Sequence, residues 1–408
     1  MKDVVIIGGG ASGLAAAVAA AKENPHAKIC ILEKKDMIGK KILSTGNGRC
    51  NFTNEKMGPE YFNSDNPENI RPVLEKFGTF ETLGFFRELG IMPKEKNGYY
   101  YPRSEQASAI LNVLKNQLKI SEVEIITEAI VSSIKKTKRG FFIDTTKGRL
   151  NARSVILSTG GKAAKVLGSD GSGYDLAKSL GHSMVPVVPA LVQLRTKEHP
   201  LLKASGVRTE AKVRIFSDET FLSEDTGELQ ITAYGISGIP VFQVSRHAAK
   251  ALYYKKKVYA ELDFLPSIEE KELMMYYENR MKLMSGLSAA DFLIGIFNQK
   301  LIPCLLRCAK IRENTKVSEL TKKQLDSLLH CCKHSKIEII DTNGFDNAQV
   351  CAGGVRLDEI NPDTMESLVC EGLYLTGEIL DSDGICGGYN LQWAWASGYI
   401  AGCAAVRC

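Results

Sequence analysis

The run Val4-Val5-Ile6-Ile7, followed at once by Gly8-x-Gly10-x-x-Gly13 and an alanine-rich stretch, limits what this chain can fold into more than any other feature. Four consecutive branched apolar residues read as a central strand of a parallel sheet, covered on both faces. Gly8 permits a tight turn, Gly10 lets backbone approach a pyrophosphate, and Gly13 lets helix and strand pack closely. Ser12 stands in the first helical turn, whose free N–H groups and partial positive charge suit phosphate oxygens. A second apolar strand, Ile29-Cys30-Ile31-Leu32, ends in Glu33, twenty residues after Gly13. A carboxylate there binds ribose hydroxyls of an adenine dinucleotide. Strand, glycines, helix, strand and acid in this order predict a dinucleotide site.

At 408 residues the chain is long enough for two or three domains. No apolar stretch reaches the roughly 18 residues of a membrane span. The N-terminal apolar run is the first strand rather than a signal peptide, so a cytoplasmic protein is expected. The eleven cysteines are odd in number and scattered, which fits reduced thiols. Cys304-x-x-x-Cys308 and Cys331-Cys332 each lack a second correctly spaced pair, and His330 and His334 are too few to complete one, so no metal site is expected. A net charge of +5 is small for this length and predicts no nucleic-acid partner. The sequence points to a small-molecule substrate and to no particular oligomeric state.

After Glu33 and Lys34, residues 40–51 form a polar stretch with few core-building side chains. It reads as a long loop without secondary structure, and such loops are commonly functional. Here it can wrap a cofactor: Gly46 allows close approach, Ser44, Thr45 and Asn47 supply hydrogen bonds, and Lys40 and Lys41 bring positive charge. Helices are predicted over 67–89 and over 104–118, the latter with Ser104 as N-cap. An antiparallel meander is predicted through 124–149, and a separate buried strand, 154–158, delivers Thr159 and Gly160 to the cofactor's second side. The cluster Gly168 to Gly173 has no following strand and acid, so it reads as a loop beside the first site. Beyond Pro186 and Pro189 the dinucleotide pattern stops. Strands at 213–216 and 228–232, a turn at 235–240 and helices over 268–334 predict an inserted domain.

The C-terminal part returns to glycine-rich phrasing. Cys351-Ala352-Gly353-Gly354 precedes a strand ending in Gly377-Glu378; an acidic loop with Asp383 and a helix start at Gly388-Tyr389-Asn390-Leu391 follow. Such a segment can complete a flavin site: the carboxylate meets ribityl hydroxyls, and the helix N-terminus stabilises negative charge on the reduced ring. Tyr389 and Tyr234 have the chemistry of a proton donor, while His182 reads as a helix cap; no catalytic residue is assigned.

The phrases Ser44-Thr45-Gly46-Asn47-Gly48-Arg49-Cys50-Asn51, Thr364-Met365-Glu366-Ser367 and Gly387-Gly388-Tyr389-Asn390-Leu391-Gln392 resemble those of a family of bacterial FAD-dependent flavoproteins of the aminoacetone-oxidase type, which includes a 3-dehydro-bile-acid Δ4,6-reductase. The resemblance covers essentially the whole chain. It implies FAD held by the N-terminal glycines, Glu33, the 40–51 stretch, Val131 and the 377–391 segment. Gln230-Ile231-Thr232 and Cys351 depart from the family's usual Phe-Thr pair and threonine, outside the FAD phrases. The expected architecture is α/β: a Rossmann-like FAD-binding domain on a parallel sheet of the glutathione-reductase type (1–188 and 346–408), interrupted by a mixed β/helical domain (189–345). The expected function is NAD(P)H-driven reduction of an activated C=C in a hydrophobic, steroid-like enone. Oxidation of a small amine and RNA modification stand as alternatives.

Overall fold

The computed structural model describes residues 1–407. They form two compact units, one comprising 1–188 and the chain from 349 onward, the other 189–348.

In the first unit the strand Lys2–Ile7 lies between Ile29–Leu32 and Gly148–Leu157, parallel to both. Val4, Val5 and Ile6 are wholly buried, as a central strand requires. Glu124–Ile126 extends the sheet beyond Ile29–Leu32, and Leu373–Leu375 pairs in parallel with the end of Gly148–Leu157. One strand therefore does two jobs. The first half of Gly148–Leu157 pairs antiparallel with Gly140–Thr145, which pairs with Val131–Thr137 to form the meander. Its second half belongs to the parallel sheet. Sequence reading cut this strand in two because its exposed first half and apolar second half carry different patterns.

The final helix, Tyr389–Ala405, is buried on nearly every side, as an all-round apolar helix must be. It packs along the first helix, Ala11–Glu23, with Gly398 and Gly402 at helical spacing against the backbone of Ser12 and Ala16. Buried Gln392 accepts hydrogen bonds from the Thr53 and Thr82 hydroxyls (2.7 and 2.9 Å) and donates to the Phe77 carbonyl (2.8 Å). These three bonds tie the helix to the 53–82 segment.

The second unit is a closed antiparallel barrel. Its strands run in the order Leu194–Thr196, Gly235–Gly238, Thr220–Thr232, Arg208–Ser217, Val258–Asp263 and Ser335–Thr342, and the last pairs with the first. The alternation of Ala211, Val213 and Ile215 places one face inside. Helix Ile239–Tyr253 packs on the barrel, and helices Glu270–Leu283, Ile302–Cys308 and Lys322–Lys333 share its core. Buried Lys333 pairs with Asp263 (2.8 Å) and donates to the carbonyls of Leu265 and Ile268, so its charge is fully partnered.

Two local expectations need correction. Residues 235–238 form a barrel strand rather than a turn. Cys351 precedes the strand Leu373–Leu375 as expected and lies in a strand of its own, Val350–Val355. The helix expected from Ser104 begins at Ala107, after Glu105 takes a left-handed φ of 53°. His182 closes the helix Ser172–Ser179 through its backbone N–H, which donates to the Ala177 carbonyl (3.2 Å) just after left-handed Gly181. Its buried ring bridges Glu359 (Nδ1, 2.8 Å) and the Ser367 hydroxyl (Nε2, 2.9 Å). Ser367 Oγ accepts the N–H groups of Val369 and Cys370, so its own proton goes to His182 Nε2, and Nδ1–H donates to Glu359. The trio braces buried backbone.

Candidate functional site

The Gly8–Gly13 turn is held from three sides. Ser158 donates its hydroxyl to the Gly8 and Ile7 carbonyls (3.0 and 3.1 Å). A Cβ on Gly13 would lie 2.0 Å from the Gly8 carbonyl oxygen, so helix and strand meet where only glycine fits. Glu33 accepts the Gly9 N–H on one oxygen (2.9 Å) and the Lys35 N–H on the other (2.8 Å). It braces the turn, and its remaining lone pairs can serve ribose hydroxyls. Gly10 differs from its neighbours: a Cβ there would meet nothing within 4 Å. No side chain caps the helix that follows, and no carboxylate sits in its first turn. Open space, free N–H groups and a helix N-terminus together suit a phosphate.

The C-terminal segment closes on the same turn. Ser12 Oγ donates to the Thr376 carbonyl (3.5 Å), and a Cβ on Gly377 would strike that hydroxyl. Gly377 donates its N–H to Ser397 Oγ (2.9 Å) and accepts from the Trp393 indole (3.2 Å). Glu378 pairs with Lys41 (2.7 Å), and its other oxygen accepts the Cys351 N–H (2.9 Å). Gly160, left-handed at φ 70°, rests against Ser169, while Thr159 packs against Gly173. The final helix starts at Gly388 with no side-chain cap and no acid in its first turn, leaving a second open helix N-terminus.

The 40–51 stretch is more regular than expected: Lys40–Ser44 is a short helix and Thr45–Gly48 a tight turn. Gly46, Asn47, Gly48 and Cys50 all have left-handed φ, where glycine and asparagine are least strained. Ser44 and Thr45 spend their hydroxyl protons on the carbonyls of Lys41 and Ile42, closing the helix. Lys40 pairs with Asp36 and Lys34 with Asp170 (2.5 Å), so Lys41 is the cation this stretch brings to Glu378. Burial opposes the Asp170 charge, but Lys34 and Ser172 outweigh it and hold the carboxyl down at about 2. Just before Val131, the Ala129 N–H donates to the Glu33 carbonyl (2.9 Å), which brings that strand start beside Glu33. Asn390 locks both backbone groups of Gly384 (2.9 and 2.7 Å), fixing the acidic loop where Asp383 is buried; Leu391 is half-buried in the helix's first turn. The Tyr389 ring stacks on Tyr61 (centroids 5.0 Å apart), which makes it packing for the helix start. Tyr234 belongs to the barrel unit.

These residues fit FAD on the structure's own terms. In the first unit the buried side-chain oxygens of Asn51 (Oδ1), Tyr174, Thr376 and Ser382 lack a protein partner, a hydrogen-bonding demand the protein itself leaves unmet. A ligand rich in hydroxyls and phosphate oxygens answers it. Ser158, Ser397 and Tyr174 escaped the sequence reading because lone hydroxyls inside apolar segments carry no spacing signal. The Lys41–Glu378 pair allows a direct check. Lys41→Met leaves a half-buried carboxylate unpaired and is expected to cost about 2 kcal/mol. Adding Glu378→Gln should recover most of it in thermal unfolding.

Among the described residues no helix is long and apolar enough to cross a membrane. The profile of the HI0933-like protein Rossmann domain matches residues 2–404. The 3-dehydro-bile acid delta(4,6)-reductase of Clostridium scindens is 54% identical over 407 residues, the full length of both chains. The ribosomal RNA dihydrouridine synthase of Haemophilus influenzae is 28% identical over 402 residues, 97% of this chain and 96% of that one. Among solved structures, a flavocytochrome c3 fumarate reductase shares the fold at a TM-score of 0.51 and 15% identity, covering 100% of this chain and 78% of its own.

Proposed function

The chain belongs to the HI0933-like family and is a flavin-dependent oxidoreductase, and within that class we propose that it reduces a carbon–carbon double bond conjugated to a ketone in a hydrophobic, steroid- or bile-acid-like substrate, with NAD(P)H as electron donor. The observation that carries this reading is the 54% identity, end to end, with a reductase named for that bond in 3-dehydro bile acids. The FAD-binding residues proposed are the Gly8, Gly10, Ser12 and Gly13 turn, Glu33, Lys41, Thr159, Gly160, Gly377, Glu378 and the helix start at Gly388. Lys34, Lys40, Ser44, Thr45, Gly46, Asn47, Val131, Asp383, Tyr389, Asn390 and Leu391 shape the walls around them. When bound, FAD supplies hydride chemistry that no side chain can. The protein's part is positioning. The first helix N-terminus and Gly10 receive the pyrophosphate, Glu33 receives ribose hydroxyls, and Lys41 fixes the Glu378 carboxylate in place by an ion pair. The open N-terminus at Gly388 favours negative charge next to it.

A second reading has its own support. Uracil's C5=C6 bond is also conjugated to a carbonyl, so reducing it to dihydrouridine is the same bond-level chemistry. The 300–323 segment carries seven cations against two carboxylates, and none of the seven forms an ion pair among the described residues. Lys300 and Arg307, with Lys203 and Ser205, line a cavity of about 310 Å³. Such a basic surface suits phosphodiester backbone.

Anaerobic mixing separates the readings. NADH or NADPH should bleach the flavin, and a 4-en-3-one or 4,6-dien-3-one steroid should restore its colour within seconds. Bleached enzyme that ignores both enones but forms dihydrouridine in unmodified ribosomal RNA, read by nucleoside mass spectrometry, would replace the first reading with the second. Aminoacetone is expected to leave the oxidised flavin unbleached.

A further inference from the structure

We infer that Tyr174 is a cofactor-binding residue whose hydroxyl is held without a protein partner so that it can donate to an acceptor on the bound FAD. The assignment rests on the flavin reading above. Tyr174 lies in the first turns of the helix Ser172–Ser179, which begins at left-handed Gly171. Its side chain is buried, with the residue only 6% exposed, yet its oxygen makes no hydrogen bond. An orphaned tyrosine hydroxyl is costly, because burial removes the water that would otherwise satisfy it. A ligand with an acceptor atom would satisfy it.

Its position identifies that ligand. A Cβ built on Gly161 would lie 3.1 Å from the Tyr174 hydroxyl and 2.8 Å from Glu378 Oε1, so both oxygens crowd the same glycine at the end of the central sheet. Gly171 donates its N–H to the Gly161 carbonyl (3.0 Å), which fixes the helix start and the ring above that glycine. The two oxygens of Glu378 are taken by Lys41 and the Cys351 N–H. Cys351 Sγ accepts the N–H of Lys162 (3.1 Å). The Glu378 oxygens and Cys351 Sγ thus each already take a donor. Burial, then Cys351, Glu378 and Asp381, push the Tyr174 ionisation well above its ordinary value, so the group keeps its proton and remains a donor. Thr376 and Ser382, on the segment that carries Glu378, contribute two more unpartnered hydroxyls.

The test uses full-length Tyr174→Phe with Tyr277→Phe as its counterpart. Tyr277 is equally buried, but its hydroxyl meets Cys332 Sγ (3.5 Å) in the barrel unit. In protein stripped of FAD, Tyr174→Phe should melt no lower than wild type, and up to about 3 °C higher, because it removes an unsatisfied group. The same variant should bind FAD about five- to tenfold more weakly by fluorescence titration, with a shifted visible band for the bound flavin. Tyr277→Phe should show the reverse pattern: a lower melting temperature and unchanged FAD affinity. If wild type takes up FAD and Tyr174→Phe binds it equally well with an identical spectrum, the assignment is wrong. A lower apo melting temperature for Tyr174→Phe would overturn it too, since the hydroxyl would then have a partner inside the protein. Wild-type protein that takes up no FAD overturns the flavin reading itself, and this assignment with it.

Discussion

Gly10→Ala should leave the apoprotein as stable as wild type while its FAD affinity falls about a hundredfold or more. Gly13→Ala should lose both. The two glycines sit three residues apart in one turn, but they face different neighbours. At Gly10 the backbone is extended (φ −83°), which alanine adopts freely, and a Cβ points into open space. The only thing for it to strike is a ligand that uses that space. At Gly13 a Cβ would lie 2.0 Å from the Gly8 carbonyl oxygen and 2.7 Å from Ser158 Oγ, the same pair that closes the turn by a hydrogen bond. Neither can retreat without pulling the first strand from Gly148–Leu157. Overpacking of this kind costs about 3 kcal/mol, roughly 6–12 °C in a unit of this size. Melting curves of both apoproteins, with FAD titrations alongside, check the contrast. Equal FAD affinity for Gly10→Ala and wild type would remove the pyrophosphate from this turn.

The contrast also marks what could be read from residues alone. The strand, glycine turn, helix and Glu33 were legible because each is specified locally: an apolar run, a turn that needs glycine, an acid at fixed spacing. The insertion was legible because the pattern stops and resumes. What stayed hidden was decided by neighbours distant in sequence. Gly235-Ile236-Ser237-Gly238 reads as a turn, since glycine punctuates turns. In the barrel those glycines are needed for another reason: a Cβ on either would lie 2.1 Å from the carbonyl oxygen of Leu194 or Glu228 on the adjoining strands. Close approach and chain reversal leave the same letters. His182 likewise carries no sign of Glu359 or Ser367, which lie more than 170 residues away. At the site, Lys34, Lys40 and Lys41 look equivalent in sequence. Only the fold commits the first two to Asp170 and Asp36 and the third to Glu378.

Gly402→Ala is expected to destabilise the first unit by about 3 kcal/mol and to release FAD, although the position is far along the final helix from the glycine turn. Gly398 and Gly402 are four residues apart and face Ser12 and Ala16, also four apart, so two helices meet backbone to backbone along one line. A Cβ on Gly402 would lie 2.2 Å from the Ala16 carbonyl oxygen, and one on Gly398 would lie 2.2 Å from that of Ser12. Because the obstacle is a carbonyl rather than a methyl, trimming Ala16 to glycine should rescue nothing. A side-chain clash would have been relieved by it. Gly84, in the helix Thr79–Glu88, is the control: a Cβ there meets nothing within 4 Å, and alanine should stabilise by about 0.5–1 kcal/mol through helix propensity. The displaced helix also carries Ser397 and Trp393, both hydrogen-bonded to Gly377. Forcing it outward therefore unseats the loop that presents Glu378, and cofactor loss should track the fall in melting temperature. A Gly402→Ala protein that melts like wild type would mean that the two helices do not approach this closely.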